Sequence, residues 1–265
     1  MPDGSPISLR RWAEHFSRGI ILRRRLPDEF RNLPIYVSPE AGLRYWRWDL
    51  GKVDAMLCRM ARELVTAGSV VWDVGANVGL FSCSAAALAG RSGWVLAVEP
   101  DLWLAQLLTR SARGIQKNGA EAAPVAVLPA AVSDANGISQ LQIAERARSA
   151  NHLIETDGSS QAGGSRNLQQ TVTLTLDFLL EHFPPPTVLK IDAEGAELKA
   201  LRGASKLLRV VRPVIWCEVA PENAFSVAEL LRGEGYQIYA AALPPDKRTP
   251  LQRASWDTLA VPMQS

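Results

Sequence analysis

The chain has 265 residues, of which 47% are hydrophobic and 21% are charged, and this composition excludes a disordered protein. The 29 Lys and Arg residues nearly balance the 27 Asp and Glu residues, so no nucleic acid is expected as a partner. No apolar run approaches the roughly 20 residues of a transmembrane helix, and the first residues lack the order of a signal peptide. We therefore expect a cytoplasmic protein without a transmembrane segment, in which the cysteines are buried free thiols.

The first 50 residues are expected to form an extension in front of the main domain, residues 51–265. Apolar residues at helical spacing predict an arginine-rich helix over residues 7–30. Residues 34–48 predict two short extended segments around a turn. The arginine-rich helix could dock on its own domain, form a homodimer contact or touch an anionic surface.

From residue 69 onward, short apolar strands alternate with helices. The strands are continuous β-branched runs, which indicates burial on both faces. Strands that alternate with helices are typical of an α/β fold with a parallel, doubly wound sheet and helices on both faces. The predicted strands are 69–74, 93–98, 124–130, 187–192, 213–219 and 236–241, and the predicted helices between them are 79–90, 101–118, 195–209 and 223–234. One further helix, over residues 51–67, is predicted before the first of these strands.

The rhythm of strands and helices is interrupted by an insertion at 135–175. Two segments of alternating hydrophobicity, 138–144 and 171–176, bracket a polar stretch rich in Gly and Ser. Strands and helices of the same type resume beyond it. We therefore predict an antiparallel hairpin with a mobile loop, inserted into one domain.

The most informative segment joins a buried strand to a glycine turn and a helix. Gly75 permits a backbone conformation that a side chain would disfavour, and Gly79 lets the helix pack close to the strand. The free N–H groups of the helix then point at the turn. Glu99, twenty residues after Gly79 at the end of the next strand, can accept both hydroxyls of a ribose. This order of features predicts a nucleoside-type cofactor.

The residues of the glycine turn indicate which cofactor is bound. A dinucleotide fingerprint has a central glycine that lets the backbone approach a pyrophosphate. Asn77 stands between Gly75 and Gly79 here, and Asp73 lies two residues before the first glycine. An acid beneath the turn repels a pyrophosphate but suits the ammonium group of a methionine moiety. The sequence therefore favours S-adenosylmethionine over a nicotinamide cofactor.

A second cluster of charged residues lies around residue 192. Lys190 and Asp192 are two apart on a strand and so share one face. Glu194 and Glu197 follow directly, and Glu218 ends the next strand. Ligands bind at this end of the strands in open α/β sheets. A functional role is expected for Asp192 and Glu194, whereas Glu197 could instead interact with a helix dipole.

The combination of these motifs resembles the FkbM family of methyltransferases. The resemblance implies the class I methyltransferase fold, a mostly parallel seven-stranded sheet whose last strand is antiparallel. It also implies S-adenosylmethionine as the methyl donor and a small-molecule hydroxyl, on a sugar or a polyketide, as the acceptor. The segments that carry the resemblance are 71–81 (VWDVGANVGLF), 131–134 (AVSD), 176–180 (LDFLL), 189–197 (LKIDAEGAE), 201–204 (LRGA), 214–218 (VIWCE) and 258–262 (TLAVP).

The resemblance also implies which residues bind the cofactor and the acceptor. Asp192 and Glu194 are expected where the methyl group meets the acceptor. The expected contacts to the cofactor are Asp73, Gly75, Asn77 and Gly79 at its methionine end, Glu99 at its ribose, and Ser133 and Asp134 at its adenine.

Removal of the acceptor proton requires a general base. Asp192 or Glu194 could take the proton if burial raises its pKa towards neutrality. His152, in the polar insertion, is the alternative base. A divalent cation on Asp192, Glu194 and Glu218 is conceivable, but the family pattern does not require one and none is predicted.

The features that choose the acceptor are expected outside the motifs. The aromatic side chains Tyr36, Tyr45, Trp46 and Trp48 could stack on a ring or could pack in the core. The segments 145–170 and 244–250 are candidate lids. The competing functions are a nicotinamide-dependent oxidoreductase, a non-catalytic cofactor-binding module and an RNA or protein methyltransferase.

Overall fold

The computed structural model describes residues 16–117, 121–145, 147–154 and 165–263. In this part of the chain the helices are α1 (Ala55–Leu64), α2 (Leu80–Ala89), α3 (Leu102–Lys117), α4 (Leu176–Leu180), α5 (Glu197–Arg202) and α6 (Ala224–Gly233). The strands are β1 (Leu22–Arg25), β2 (Pro34–Val37), β3 (Val70–Val74), β4 (Trp94–Val98), β5 (Val125–Leu128), β6 (Ala131–Val132), β7 (Gly137–Ala144), β8 (His152–Leu153), β9 (Ser165–Leu174), β10 (Val188–Ile191), β11 (Val214–Glu218), β12 (Tyr236–Ala240) and β13 (Asp257–Pro262).

A seven-stranded sheet in the order β12-β13-β11-β10-β3-β4-β5 forms the centre of the protein. Strands β11, β10, β3, β4 and β5 pair in parallel. The last strand, β13, is antiparallel to both of its neighbours, β11 and β12. The predicted α/β fold with a mostly parallel sheet and an antiparallel last strand is thus confirmed.

Two hydrophobic clusters cover the two faces of this sheet. Successive residues of β3 belong to different clusters, since Val71 packs with α1, α2 and α3 and Trp72 packs with α4, α5 and α6. This follows from the alternation of side chains along a strand. Burial on both faces explains why the strands are continuous apolar runs.

The predicted helix over residues 7–30 is wrong for residues 22–25. Residues 22–25 form β1, which pairs antiparallel with β2 from Leu22↔Val37 to Arg25↔Pro34. Arg24 and Leu26 are buried on one side of this ladder, and this period of two overrides the helical spacing. Residues 7–15 of the predicted helix lie outside the described residues. The homodimer contact through this segment stays a prediction.

The insertion contains the predicted antiparallel hairpin, formed by β7 and β9 with Ile138 opposite Val172. The hairpin belongs to a second sheet in the order β6-β9-β7-β8. Strand β6 follows β5 along the chain, so this sheet is joined to the central one. Residues 155–164, where the mobile loop was predicted, lie outside the described residues.

Two sequence predictions concern the chemistry of the whole chain. The cysteines Cys58, Cys83 and Cys217 are buried and free, as predicted. Among the described residues, no helix combines the length and the apolar character that a membrane span needs.

Candidate active site

A cavity of about 570 Å³ opens at the carboxyl edge of the central sheet, within the usual size of a ligand site. It is lined by Gly75 after β3, Glu99 after β4, Asp192 after β10 and Glu218 at the end of β11. Strand β3 lies between β4 and β10, so the strand order reverses beneath the cavity. Open α/β sheets bind their ligands at such a switch point.

The glycine turn after β3 is held tightly against the loop after β10. The backbone N–H groups of Gly75 and Ala76 both donate to the carbonyl oxygen of Val98. Gly75 has a φ of 73°, and a Cβ built on it would lie 1.7 Å from the carbonyl oxygen of Asp192. Only glycine allows both this conformation and this approach.

Glu99 lies at the next strand end with both carboxylate oxygens fixed. Oε2 accepts from the backbone N–H of Asn77 at 2.7 Å, and Oε1 accepts from that of Asp101 at 2.8 Å. Burial raises the pKa of Glu99 to about 8, although these N–H donors act in the opposite direction.

The surroundings of Glu99 fit the nucleoside part of S-adenosylmethionine. Each carboxylate oxygen keeps a lone pair that can accept from a ribose hydroxyl. The nearby cavity wall is apolar, as an adenine ring requires, and consists of Val98, Leu104, Val132, Leu141 and Leu153.

Asp73 is fully buried beneath the glycine turn and does not line the cavity. Its Oδ1 lies 3.1 Å from Nζ of Lys190, and its Oδ2 accepts from the Ser82 hydroxyl at 2.5 Å. Nζ of Lys190 also donates to the carbonyl oxygen of Gly75 at 3.2 Å. Asp73 thus lies beneath the turn, paired with Lys190 and Ser82, and is not among the residues that line the cavity.

Three acids line the cavity after β10 and β11: Asp192, Glu194 and Glu218. Burial, followed by the charge of Asp192, raises the pKa of both Glu194 and Glu218 to about 8. Nζ of Lys190 lies 3.5 Å from Oδ2 of Asp192. Burial alone would lower the pKa of Lys190, but the neighbouring carboxylates outweigh this effect and raise it. The site therefore holds a fixed cation beside two acids, Glu194 and Glu218, whose pKa values are raised.

Other predicted residues lie away from the cavity lining. Gly79, with a φ of 88°, precedes α2 and packs against the Leu108 side chain. Oε1 of Glu197 accepts from the N–H of Gly195 at 2.8 Å, in the first turn of α5. Ser133 and Asp134 do not line the cavity. The N–H of Ser133 donates to the carbonyl oxygen of Leu174 and so extends the pairing of β6 with β9.

His152 does line the cavity, on the wall formed by the insertion. It lies in β8 rather than in a loop, opposite Gln142 of β7. The ring nitrogen Nδ1 is 3.3 Å from the carbonyl oxygen of Ala150. The structure thus brings together Gly75, Asn77, Glu99, His152, Asp192 and Glu194 around one cavity.

The sequence did not reveal an ion network beside the cavity, called here the rim network, which consists of Glu40, Asp101, Arg148 and Arg166. Of these four residues, Arg148 lines the cavity. Arg148 contacts Oδ2 of Asp101 at 2.6 Å and Oε1 of Glu40 at 2.9 Å. Arg166 contacts the same Glu40 oxygen at 2.6 Å. These partners come from the N-terminal segment, the loop after β4 and the insertion. No local pattern in the sequence marks them.

The N-terminal segment also contributes a wall of the cavity. Gly42, Leu43 and Arg44 line it, and the Arg44 guanidinium contacts Asp54 at 2.9 Å. The predicted aromatic set does not contribute. Within the described residues, no group of three or more His, Cys, Asp or Glu side chains has the arrangement of a metal site.

The sheet has the strand order and the antiparallel last strand of a class I S-adenosylmethionine-dependent methyltransferase. The glycine turn after β3 and the acid Glu99 after β4 both line the cavity, as in that class of enzyme. A family model described as the methyltransferase FkbM domain matches residues 73–238. Since this match covers more than half of the chain, the chain belongs to the FkbM methyltransferase family, and its cofactor is S-adenosylmethionine.

Individual proteins are similar over parts of the chain. The hexuronic acid methyltransferase AglP of Haloferax volcanii is 29% identical over 161 residues, which is 59% of this chain and 59% of that protein. The structure of the methyltransferase FkbM of Methylobacillus flagellatus matches with a TM-score of 0.45 and 16% identity, over 96% of this chain and 62% of that one. Fibrillarin of Aeropyrum pernix, solved with natively bound S-adenosyl-L-methionine, matches with a TM-score of 0.45 and 11% identity. This match covers 92% of the present chain and 83% of fibrillarin.

Proposed function

We propose that the protein is an O-methyltransferase that methylates a hydroxyl group of a sugar-type small molecule. The observation that carries this proposal is the position of Glu194, a carboxylate with a pKa raised by burial to about 8 that lines the cavity beside Asp192. The name of AglP, a hexuronic acid methyltransferase, supports a sugar as the acceptor. The chain spans 59% of the length of that relative, so a sugar acceptor is a proposal for this chain.

The half of the cavity at β3 and β4 holds the cofactor in this proposal. The backbone of Gly75 and Asn77 borders the methionine end, and Glu99 accepts the ribose hydroxyls. These hydroxyls favour the charged form of Glu99 and lower its pKa again. Asp73 acts indirectly, since it keeps Lys190 beneath the turn. When bound, S-adenosylmethionine supplies an electrophilic methyl group.

The half of the cavity at β10 and β11 holds the acceptor. Glu194 takes the proton from the acceptor hydroxyl, and Asp192, anchored 3.5 Å from Lys190, holds the hydroxyl in position. Holding the reacting oxygen in line lowers the barrier by removing the entropic cost of bringing the groups together. His152, on the opposite wall, is the second candidate for the base.

Isothermal titration and methyl transfer together test the proposal. We expect S-adenosylmethionine and S-adenosylhomocysteine to bind, NAD not to bind, and tritium from the labelled methyl group to appear in a panel of methyl hexosides and methyl hexuronides. Replacing Glu99 with Ala should weaken binding of S-adenosylmethionine by roughly tenfold or more, because the ribose loses its acceptors. Binding of NAD alone, or label transferred only to amines, would contradict the proposal.

A further inference from the structure

Trp256 is a large aromatic side chain at the mouth of the cavity. It lines the cavity and is 58% exposed, although burying an indole ring is favourable. The other aromatic candidates lie elsewhere: Tyr45 is buried, and Trp46 and Trp48 are exposed outside the cavity. Trp256 is the one Phe, Tyr or Trp among the described residues that line it.

The antiparallel direction of β13 brings Trp256 to the reactive edge of the sheet. Because β13 runs against β11, its first residue lies at the carboxyl end of β11, and Asp257 pairs with Glu218. The N–H of Val219 donates to the carbonyl oxygen of Trp256 at 2.7 Å. The backbone of Trp256 is therefore fixed to the strand that ends in Glu218.

This position lies in the acceptor half of the cavity. The glycine turn and Glu99 follow β3 and β4, whereas Trp256 lies next to β11, beyond β10 in the sheet order. Asp257, the next residue, and Glu218, its partner on β11, also line the cavity, and so does Glu194. A face of a sugar ring carries C–H groups and its edge carries hydroxyls, so an indole face with carboxylates beside it matches both surfaces.

We propose that Trp256 binds the acceptor by stacking on its ring and so determines which acceptors are methylated. This inference rests on the proposed function, because it assigns a residue to the acceptor half of the same site. The stacked ring presents its hydroxyls to Glu194 and Glu218. The cofactor half does not depend on the indole.

Three variants test the role of Trp256. Trp256→Ala should raise the KM for a methyl hexuronide or methyl hexoside by roughly tenfold, while the Kd for S-adenosylmethionine changes by less than about twofold. Trp256→Phe should recover most of the loss, because a phenyl ring still stacks. Trp48→Ala removes an indole that is 78% exposed outside the cavity and should leave both constants unchanged. An unchanged acceptor KM in Trp256→Ala, or an equal loss of cofactor affinity, would overturn the inference.

A binding measurement separates this inference from the proposed function. Saturation-transfer NMR of the methyl glycosides in the presence of S-adenosylhomocysteine should show contact with ring protons in the unaltered protein and a loss of it in Trp256→Ala. If the glycosides bind through Trp256 but are not methylated, the proposed function fails and only the stacking of Trp256 on the ring stands. If they are methylated equally well by both proteins, the inference fails and the proposed function stands.

Discussion

Glu194 combines an unusual backbone conformation with a raised pKa. Its φ is 45°, and Gly195 after it has a φ of 96°. A side chain in the left-handed region costs about 1–3 kcal/mol and persists where the surroundings require it. These two residues turn the chain at the end of β10, so that Asp192 and Glu194 both line the cavity. The strain is thus located where the proposed base must be.

The pH dependence of catalysis tests the role of Glu194. A base works in its ionised form, so kcat/KM should rise with pH and reach half its maximum near 8, the pKa of Glu194. Glu194→Gln should lower kcat by about 10²–10⁴-fold and remove this rise. In the matched variant Glu218→Gln the rise should remain and move to lower pH, because a carboxylate that raises the pKa of Glu194 is gone. A rise that persists in Glu194→Gln would exclude this base.

The raised pKa of Glu194 also predicts how the free energy of unfolding depends on pH. The pKa of Glu194 is about 8 in the folded protein, against 4.5 as its ordinary value. Between these values the folded state binds more protons than the unfolded state, so the free energy of unfolding falls as pH rises. Glu194→Gln should therefore lose less stability between pH 5 and pH 9 than the unaltered protein, as measured by urea unfolding. An equal loss in both proteins would contradict the assignment.

Residue patterns predicted one part of the site and missed another. Gly75, Asn77 and Glu99 follow from a strand, a turn and a helix that are adjacent in sequence, so spacing alone locates them. Asp73 has the right spacing but lies beneath the turn, because Lys190 of a distant strand pairs with it. That pairing depends on which strands become neighbours, and local patterns do not encode it.

At the scale of elements, the rim network joins three segments that are far apart in sequence. Glu40 and Arg148 are 108 residues apart, and Asp101 and Arg148 are 47 apart. Glu40 and Asp101 are 5% and 0% exposed, so their charges need partners. The backbone N–H of Arg148 also donates to the carbonyl oxygen of Glu40. The insertion is therefore fixed to the N-terminal segment across the cavity.

Replacing Arg148 with Gln should destabilise the protein and weaken the binding of S-adenosylmethionine. The change leaves Asp101 with Asn151 and Glu40 with Arg166, so we expect a loss of about 2–3 kcal/mol in the free energy of unfolding. Affinity for S-adenosylmethionine should fall as well, because Arg148 lines the cavity. Urea unfolding and isothermal titration measure the two effects.

Arg62 provides the matched control for this variant. It pairs with Glu29 at 2.5 Å, but both side chains are almost half exposed. Arg62→Gln should change the free energy of unfolding by less than about 1 kcal/mol. Equal effects of the two substitutions would show that the rim network does not fix the insertion.

At the scale of the whole molecule, the N-terminal segment belongs to the main hydrophobic core. Leu26, Phe30, Ile35, Tyr45 and Leu50 are each at most 1% exposed, in the same cluster as residues of β3, β4 and α2. The N–H of Tyr36 donates to the Ser111 hydroxyl of α3 at 2.8 Å. The family match begins only at residue 73, so this packing was not visible in the motifs.

A chain that begins at residue 51 should fail to fold, because it exposes the apolar faces that β1, β2 and the following turns cover. Circular dichroism and titration with S-adenosylmethionine would detect the loss. Within the full chain, Phe30→Ala should lower the free energy of unfolding by about 3–5 kcal/mol, as large core truncations do. A folded 51–265 chain with full cofactor affinity would show that the segment is a separate unit.

The place of β13 between β11 and β12 has a consequence for synthesis on the ribosome. The sheet cannot close until residues 257–262 have emerged, since β11 and β12 are bridged only by this last strand. Until then, β11 presents an unpaired and largely apolar edge, which is prone to pair with other chains. The cofactor half, built from β3 and β4, can form earlier. A chain cut before residue 256 would therefore keep the donor half, lack Trp256 and Asp257 of the acceptor half, and be liable to aggregate.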